Sequence, residues 1–161
     1  MVLVGTGGAA TAIAVRGALD GIKELHVFNI KDKFYERGEE IVKLINKETG
    51  CKAYMYDLAD KDKLKSEMQA ADIFCDATGV GMHPLEEMSN IPDGSFFKED
   101  LIVTDTVYAP RETVMMKQAK AAGVKKVYNG MGMMLFQALI AIKLYTGKDT
   151  DVAYMKEKLG I

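Results

Sequence analysis

The residues whose types and spacing best suit chemistry stand at the start of the chain, where Val4-Gly5-Thr6-Gly7-Gly8-Ala9-Ala10 fits the pattern G-x-G-x-x-G/A. An apolar run over residues 2–5 leads into this pattern and a stretch of helical period, about 8–20, leads out of it. The glycines therefore fall on a strand-to-helix turn. Gly5 permits the tight bend, Gly7 lacks a Cβ and lets a diphosphate lie against the backbone, and Ala10 is small enough for helix and sheet to approach closely. Gly8 and Ala9 open the helix, whose free N–H groups and positive dipole end face the phosphates. The bland alternative is a glycine-rich turn that holds nothing.

A dinucleotide needs a second contact at the end of the next strand. A carboxylate there binds the adenosine ribose diol of NAD, and an arginine accepts the 2′-phosphate of NADP. The chain reads His26-Val27-Phe28-Asn29-Ile30-Lys31-Asp32-Lys33-Phe34 at that place. Asn29 can bond a ribose hydroxyl, while Asp32 accepts from the diol and repels a phosphate. NAD is thus expected in preference to NADP. Lys31 and Lys33 are either phosphate contacts or solvated loop charges.

The remaining polar candidates have simpler explanations. His83 beside Pro84 reads as a solvated loop residue, and His26 lies in a strand with no carboxylate near it in sequence. Asp57, Asp60 and Asp62 lack the glycine and terminal glutamate of a calcium loop and fit helix capping; no metal site is expected. Cys51 and Cys75 show no metal or redox spacing and read as small buried groups in a reducing, cytoplasmic setting. Met131 and Met134 read as core packing, and the lysines of 117–126 as a solvated face.

The elements that must position these residues alternate regularly. Strands are expected near 2–5, 25–28, 51–56, 72–76, 101–104 and 124–128, with helices near 8–20, 33–47, 60–70, 112–122, 131–145 and 151–159. That order predicts an α/β fold of Rossmann type, a doubly wound parallel sheet in three α/β/α layers. The continuous apolar run Leu101-Ile102-Val103 predicts a central strand covered on both faces. Residues 79–100, with Pro84 and Pro92, read as a long loop between strands.

At 161 residues, with 48% hydrophobic and 27% charged, the chain is expected to form one domain over 1–161. Its 21 Lys+Arg against 23 Asp+Glu argue against a nucleic-acid surface built on excess positive charge. No apolar run approaches the ~20 residues that span a bilayer. The chain opens on a core strand with no turn or helix ahead of it, which predicts a piece of something longer. The almost wholly apolar helix at 131–145 is expected to be buried on more than one side and to call for a neighbouring domain.

Four blocks, in order, resemble the shikimate dehydrogenases and within them the quinate/shikimate dehydrogenase branch. They are Gly5 to Ala10; Asp76-Ala77-Thr78-Gly79-Val80-Gly81-Met82; Asp105-Thr106-Val107-Tyr108-Ala109-Pro110 with Glu112-Thr113; and Asn129-Gly130-Met131-Gly132-Met133 with Gln137 and Tyr145-Thr146-Gly147. The similarity covers the whole chain, and the last two blocks at this spacing are the specific ones.

The resemblance implies a cofactor-binding domain of an enzyme that interconverts 3-dehydroshikimate and shikimate, or dehydroquinate and quinate, with a nicotinamide cofactor. It places Gly7, Gly8 and Ala9 at the diphosphate, Asn29 and Asp32 at the adenosine ribose, and Thr78 and Val80 along the adenine-to-ribose side. Thr106, Val107, Gly130 and Met133 would shape the nicotinamide pocket, and Tyr108 and Gln137 would face the small-molecule substrate. The family's catalytic Lys and Asp belong to an N-terminal domain, so no catalytic residue is assigned in this chain and little turnover is expected of it alone.

The chain departs from the family pattern where Asn29-Ile30-Lys31 replaces Asn-Arg-Thr, Asp76 replaces an asparagine, and Asn129 replaces an acidic residue. Two alternatives remain: another Rossmann dehydrogenase, which the Tyr108-to-Gln137 pattern fits poorly, or a free-standing NAD-binding regulatory or interaction module. A homo-oligomer is compatible with either.

Overall fold

A computed structural model describes residues 1–161. Six parallel strands form one sheet: β1 (Val2–Val4), β2 (Glu24–Asn29), β3 (Lys52–Asp57), β4 (Ile73–Asp76), β5 (Ile102–Asp105) and β6 (Lys126–Tyr128). Their order across the sheet is β3-β2-β1-β4-β5-β6, a Rossmann-type arrangement whose connections reverse direction between β1 and β4. Register aligns Val4 with both Phe28 and Asp76, and Asp76 with Asp105. The carboxyl ends of the four inner strands therefore finish level, with the loops that follow them rising from one rim.

The helices are α1 (Gly8–Leu19), α2 (Tyr35–Glu48), α3 (Lys61–Ala70), α4 (Val114–Ala121), α5 (Met131–Thr146) and α6 (Val152–Leu159). Strand alternation divides the core in two. Leu3, Val27 and Cys75 face α1 and α2, where Ala10, Ala14 and Ala18 repeat every four residues and bring α1 close to the sheet. Val2, Val4, Phe74 and Val103 face α3 and α4 through Leu64, Met68, Met115 and Ala119. Asp60 and Thr113 cap α3 and α4 by accepting from the N–H groups of Lys63 and Met116. The expected capping role of the acidic run thus falls to Asp60.

Two expectations are corrected. The β5 run is interior but not central, since β1 and β4 hold the middle and β5 lies one strand from the β6 edge. The 79–100 segment is the long connection expected between two strands, β4 and β5, and its middle is packed into the core. Ile91, Phe96 and Phe97 are buried beside Phe74, Phe97 meets that ring edge-on, and a short 3-10 turn at Gly94–Phe96 fills the space between α3 and α4.

The second correction concerns α5, which is not buried on several sides. It buries only Met131 and Leu135 and packs on α6, leaving Phe136, Ile140, Leu144 and Tyr145 exposed. Ile102 and Thr104 are correspondingly only half-buried on the sheet.

Candidate functional site

Where β1 ends, the Gly5 N–H donates to the Phe28 carbonyl at 2.8 Å and Gly5 adopts φ +110. A Cβ there would stand 2.9 Å from the Ala77 carbonyl oxygen, so steric room and backbone conformation both require glycine. Gly7 caps α1 without any side-chain bond, and the first turn carries no acidic residue. In front of Gly7 and Gly8 a Cβ would meet nothing within 4 Å. The turn thus presents uncapped helix N–H groups to open space, a setting that favours an anion.

A cavity of about 320 Å³ opens from this turn, lined among others by Gly5, Gly7, Asn29, Asp32, Thr78 and Val80. It also takes in Ile30, Phe34, Leu58 and Asn90, four residues for which sequence gave no role. Thr6 holds the far wall in place, its hydroxyl donating to the Phe34 carbonyl at 3.0 Å.

At the end of β2, buried Asn29 donates through Nδ2 to the Ile30 carbonyl (2.8 Å) and to Asp32 Oδ1 (3.0 Å). The same Oδ1 accepts from the Phe34 N–H at 2.9 Å. Asp32 is therefore fixed by one oxygen, and the other is available to a ligand. Lys31 is drawn to the neighbouring strand, its Nζ lying 3.6 Å from Asp57 Oδ2, and Lys33 lies over the Phe34 ring. Neither lysine lines the cavity.

The loop after β4 is anchored from beneath. Asp76 accepts from the Thr78 N–H (3.0 Å) and hydroxyl (2.7 Å), and from Asn90 Nδ2 (2.9 Å), which also donates to Thr78 Oγ1. Lys61 Nζ donates to the Asn90 carbonyl at 3.1 Å. Burial raises the Asp76 carboxyl above its ordinary range, and the Asn90 and Thr78 bonds pull it back. One buried carboxylate thus ties the start of this loop to Asn90, and Lys61 secures Asn90 from α3.

The other predicted residues do not line this cavity. Gly130 N–H donates to the Val107 carbonyl at 2.9 Å, and a Cβ on Gly130 would lie 2.0 Å from the Thr106 carbonyl oxygen. Thr106, Val107 and Gly130 are accordingly in direct backbone contact. Asn129 braces this junction, donating to the Arg111 carbonyl and accepting from the Met131 N–H.

Tyr108 and Met133 are exposed large side chains. Gln137, also exposed, donates to the Met134 carbonyl of its own helix. It lies one helical turn beyond Met133, so the two share a face of α5.

Both histidines lie outside this arrangement. His26 sits at the amino end of the sheet in register with Val2, stacked on Tyr54 and Tyr56. Its Nδ1 comes within 3.2 Å of Glu67 without hydrogen-bond alignment. The carboxylate comes from α3, 41 positions away, which sequence proximity did not suggest. Burial lowers the imidazole's tendency to protonate, and Glu67 partly restores it. A larger cavity of about 720 Å³, lined by His26, Glu67, Lys52 and Met1, lies at this amino end. Doubly wound sheets bind ligands at the opposite rim. No cluster of His, Cys, Asp or Glu is arranged to hold a metal ion, and no helix is long and apolar enough to cross a membrane.

Sheet order, reversal point and uncapped glycine turn together define a Rossmann-type domain with open space before the first turn of α1. Comparison with known proteins gives the family. No protein-family model matches the chain. A shikimate dehydrogenase (NADP(+)) of Streptococcus uberis is 50% identical over 157 residues, covering 98% of this chain and 53% of that protein. The crystal structure of shikimate 5-dehydrogenase from Listeria monocytogenes in complex with shikimate and NAD superposes with a TM-score of 0.95 at 43% identity, over 99% of this chain and 55% of that one. Quinate dehydrogenase from Corynebacterium glutamicum in complex with NAD gives 0.84 at 31% identity, over 99% and 54%. The chain belongs to the shikimate dehydrogenase family and spans about half the length of the curated relatives it matches.

Proposed function

We propose that this chain is the nicotinamide-dinucleotide-binding half of a shikimate or quinate dehydrogenase and that it takes NAD in preference to NADP. The observation carrying the proposal is the uncapped start of α1, with open space before Gly7 and Gly8 at the sheet's reversal point. Gly7, Gly8 and Ala9 receive the diphosphate, and the unbonded oxygen of Asp32 accepts from the adenosine ribose with Asn29 beside it. Thr78 and Val80 line the adenine-to-ribose side. Thr106, Val107, Gly130 and Met133 form the nicotinamide end, and Tyr108 and Gln137 present a phenol and an amide to a polyhydroxylated ring.

The bound cofactor supplies hydride exchange with the carbinol carbon of that ring. The chain's own contribution is orientation: uncapped N–H groups fix the diphosphate, and the Thr106-Gly130 junction sets one wall of the cleft. The group that moves the hydroxyl proton is assigned to the other half of the relatives' length, and that half is also the proposed cover for the exposed α5 face.

NAD over NADP rests on the carboxylate of Asp32, which repels a 2′-phosphate, and on the distraction of Lys31 toward Asp57. The Streptococcus uberis relative carries NADP(+) in its name, whereas the Listeria monocytogenes and Corynebacterium glutamicum structures hold NAD. Calorimetric titration of the chain with each dinucleotide tests the proposal. Binding of NAD at least about tenfold tighter than NADP, a difference of about 1.4 kcal/mol, is expected. Absence of binding at about millimolar NAD would sink it.

A further inference from the structure

We propose that Asp105 and Thr113 form the positioning pair of the cleft's nicotinamide end, one stitched loop against which the other two walls are set. The proposal rests on the cofactor reading above. Asp105 ends β5, and the segment that follows carries Thr106, Val107 and Tyr108 before α4 begins.

Two bonds from the one carboxylate shape that segment. Oδ1 accepts from the Val107 N–H at 2.8 Å and fixes its first turn, and Oδ2 accepts from the Thr113 hydroxyl at 2.7 Å and closes its far end. The two residues are 4% and 1% exposed, so water does not compete for these bonds and a low local dielectric strengthens them. The Thr113 oxygen also accepts, at 3.4 Å, from the Met116 N–H at the start of α4.

The neighbouring walls lean on the same stitch. The loop after β4 passes over Thr113 so closely that a Cβ on Gly81, at φ +97, would lie 2.9 Å from Thr113 Cγ2. From the other side, the Gly130 N–H bonds the Val107 carbonyl, and the Gly130 backbone lies against Thr106. Neither Asp105 nor Thr113 lines the cavity at the glycine turn. Their effect is exerted through the residues they hold.

Two ligands separate this role from general structural support: ADP-ribose, which lacks the nicotinamide, and NADH, whose dihydronicotinamide fluorescence reports its surroundings. Thr113→Val keeps the side chain's shape and removes the hydroxyl. It is expected to leave ADP-ribose affinity within about twofold of wild type while weakening NADH about tenfold and abolishing its fluorescence enhancement. Thr113→Ser restores the hydroxyl and is expected to restore both NADH readouts.

Thr113→Ala, which adds no bulk to misfit, carries the same expectation as Thr113→Val should that variant fail to fold. Equal weakening of both ligands, or wild-type NADH fluorescence in Thr113→Val, overturns the pairing. Failure of the wild-type chain to bind ADP-ribose or NADH overturns the cofactor reading itself.

Discussion

Gly7 and Gly130 are both small, for opposite reasons. A Cβ on Gly7 would project into open space, whereas one on Gly130 would enter the Thr106 carbonyl at 2.0 Å. Gly7 has φ −72, which alanine adopts without strain. Gly7→Ala is expected to leave the melting temperature nearly unchanged, the lost flexibility of the unfolded chain offsetting the poorer cap, while abolishing NAD binding. Gly130→Ala is expected to cost about 1–3 kcal/mol in denaturant unfolding, because backbone must move to admit the methyl.

Asp105 gives a pH prediction of definite sign. Its folded-state carboxyl is pushed up to about 6 from an ordinary 3.8, chiefly by burial, with the Val107 and Thr113 bonds opposing and the Asp76 charge assisting. The stability it contributes is complete below pH about 3.8 and disappears as pH rises through about 6. Asp105→Asn keeps both bonds if the Thr113 hydroxyl turns to accept. The variant is expected to be more stable than wild type at about pH 8, by about 1–3 kcal/mol, with the gap narrowing as pH falls below about 6. An unchanging gap from about pH 4 to 8 would remove this account of Asp105.

The glycine turn was legible in sequence because its chemistry is local, contained in six consecutive residues. The anchors were not, because they depend on distant partners. Nothing in the spacing joins Asn90 to Asp76 or Thr113 to Asp105, bonds that form only when the loops meet over the sheet rim. Asp32 was found by its distance from the glycines, but its clamp by Asn29 follows from the bend after Ile30.

Among the elements, strands and helices followed the alternation of apolar periods, since each strand is short and α1 to α4 each carry buried residues on one side, whereas the short α6 buries none. The exception is α5. Its composition reads as a core helix, yet what an apolar helix buries depends on what lies beside it, which periodicity cannot supply. Met133, Phe136, Ile140 and Leu144 recur at three- and four-residue spacing along its exposed side.

An apolar face of this kind marks a contact surface. Lysine at both Ile140 and Leu144 is expected to reduce binding of a hydrophobic dye to the chain and to leave NAD affinity within about twofold of wild type. Unchanged dye fluorescence would place the exposed apolar surface elsewhere. A fall in sedimentation coefficient in the same double variant would identify a second copy as the occupant.

For the molecule as a whole, the sheet divides its labour by end. The amino ends hold His26, Glu67 and the larger cavity, while the carboxyl ends hold every residue assigned to the cofactor. A ligand that binds only the folded chain raises its stability by mass action, so NAD at about a hundred times its dissociation constant is expected to add about 2.7 kcal/mol. Thermal melts at increasing NAD measure this, and a melting point indifferent to NAD contradicts the site.

The last turn of α6 reaches back to that same rim. Arg111, three residues beyond Tyr108, donates from its two terminal nitrogens to the Leu159 and Gly160 carbonyls at 2.8 and 3.0 Å. A substitution that unwinds the last turn of α6 would therefore release the Arg111 guanidinium and loosen the segment that carries Tyr108, although it touches none of that segment's residues.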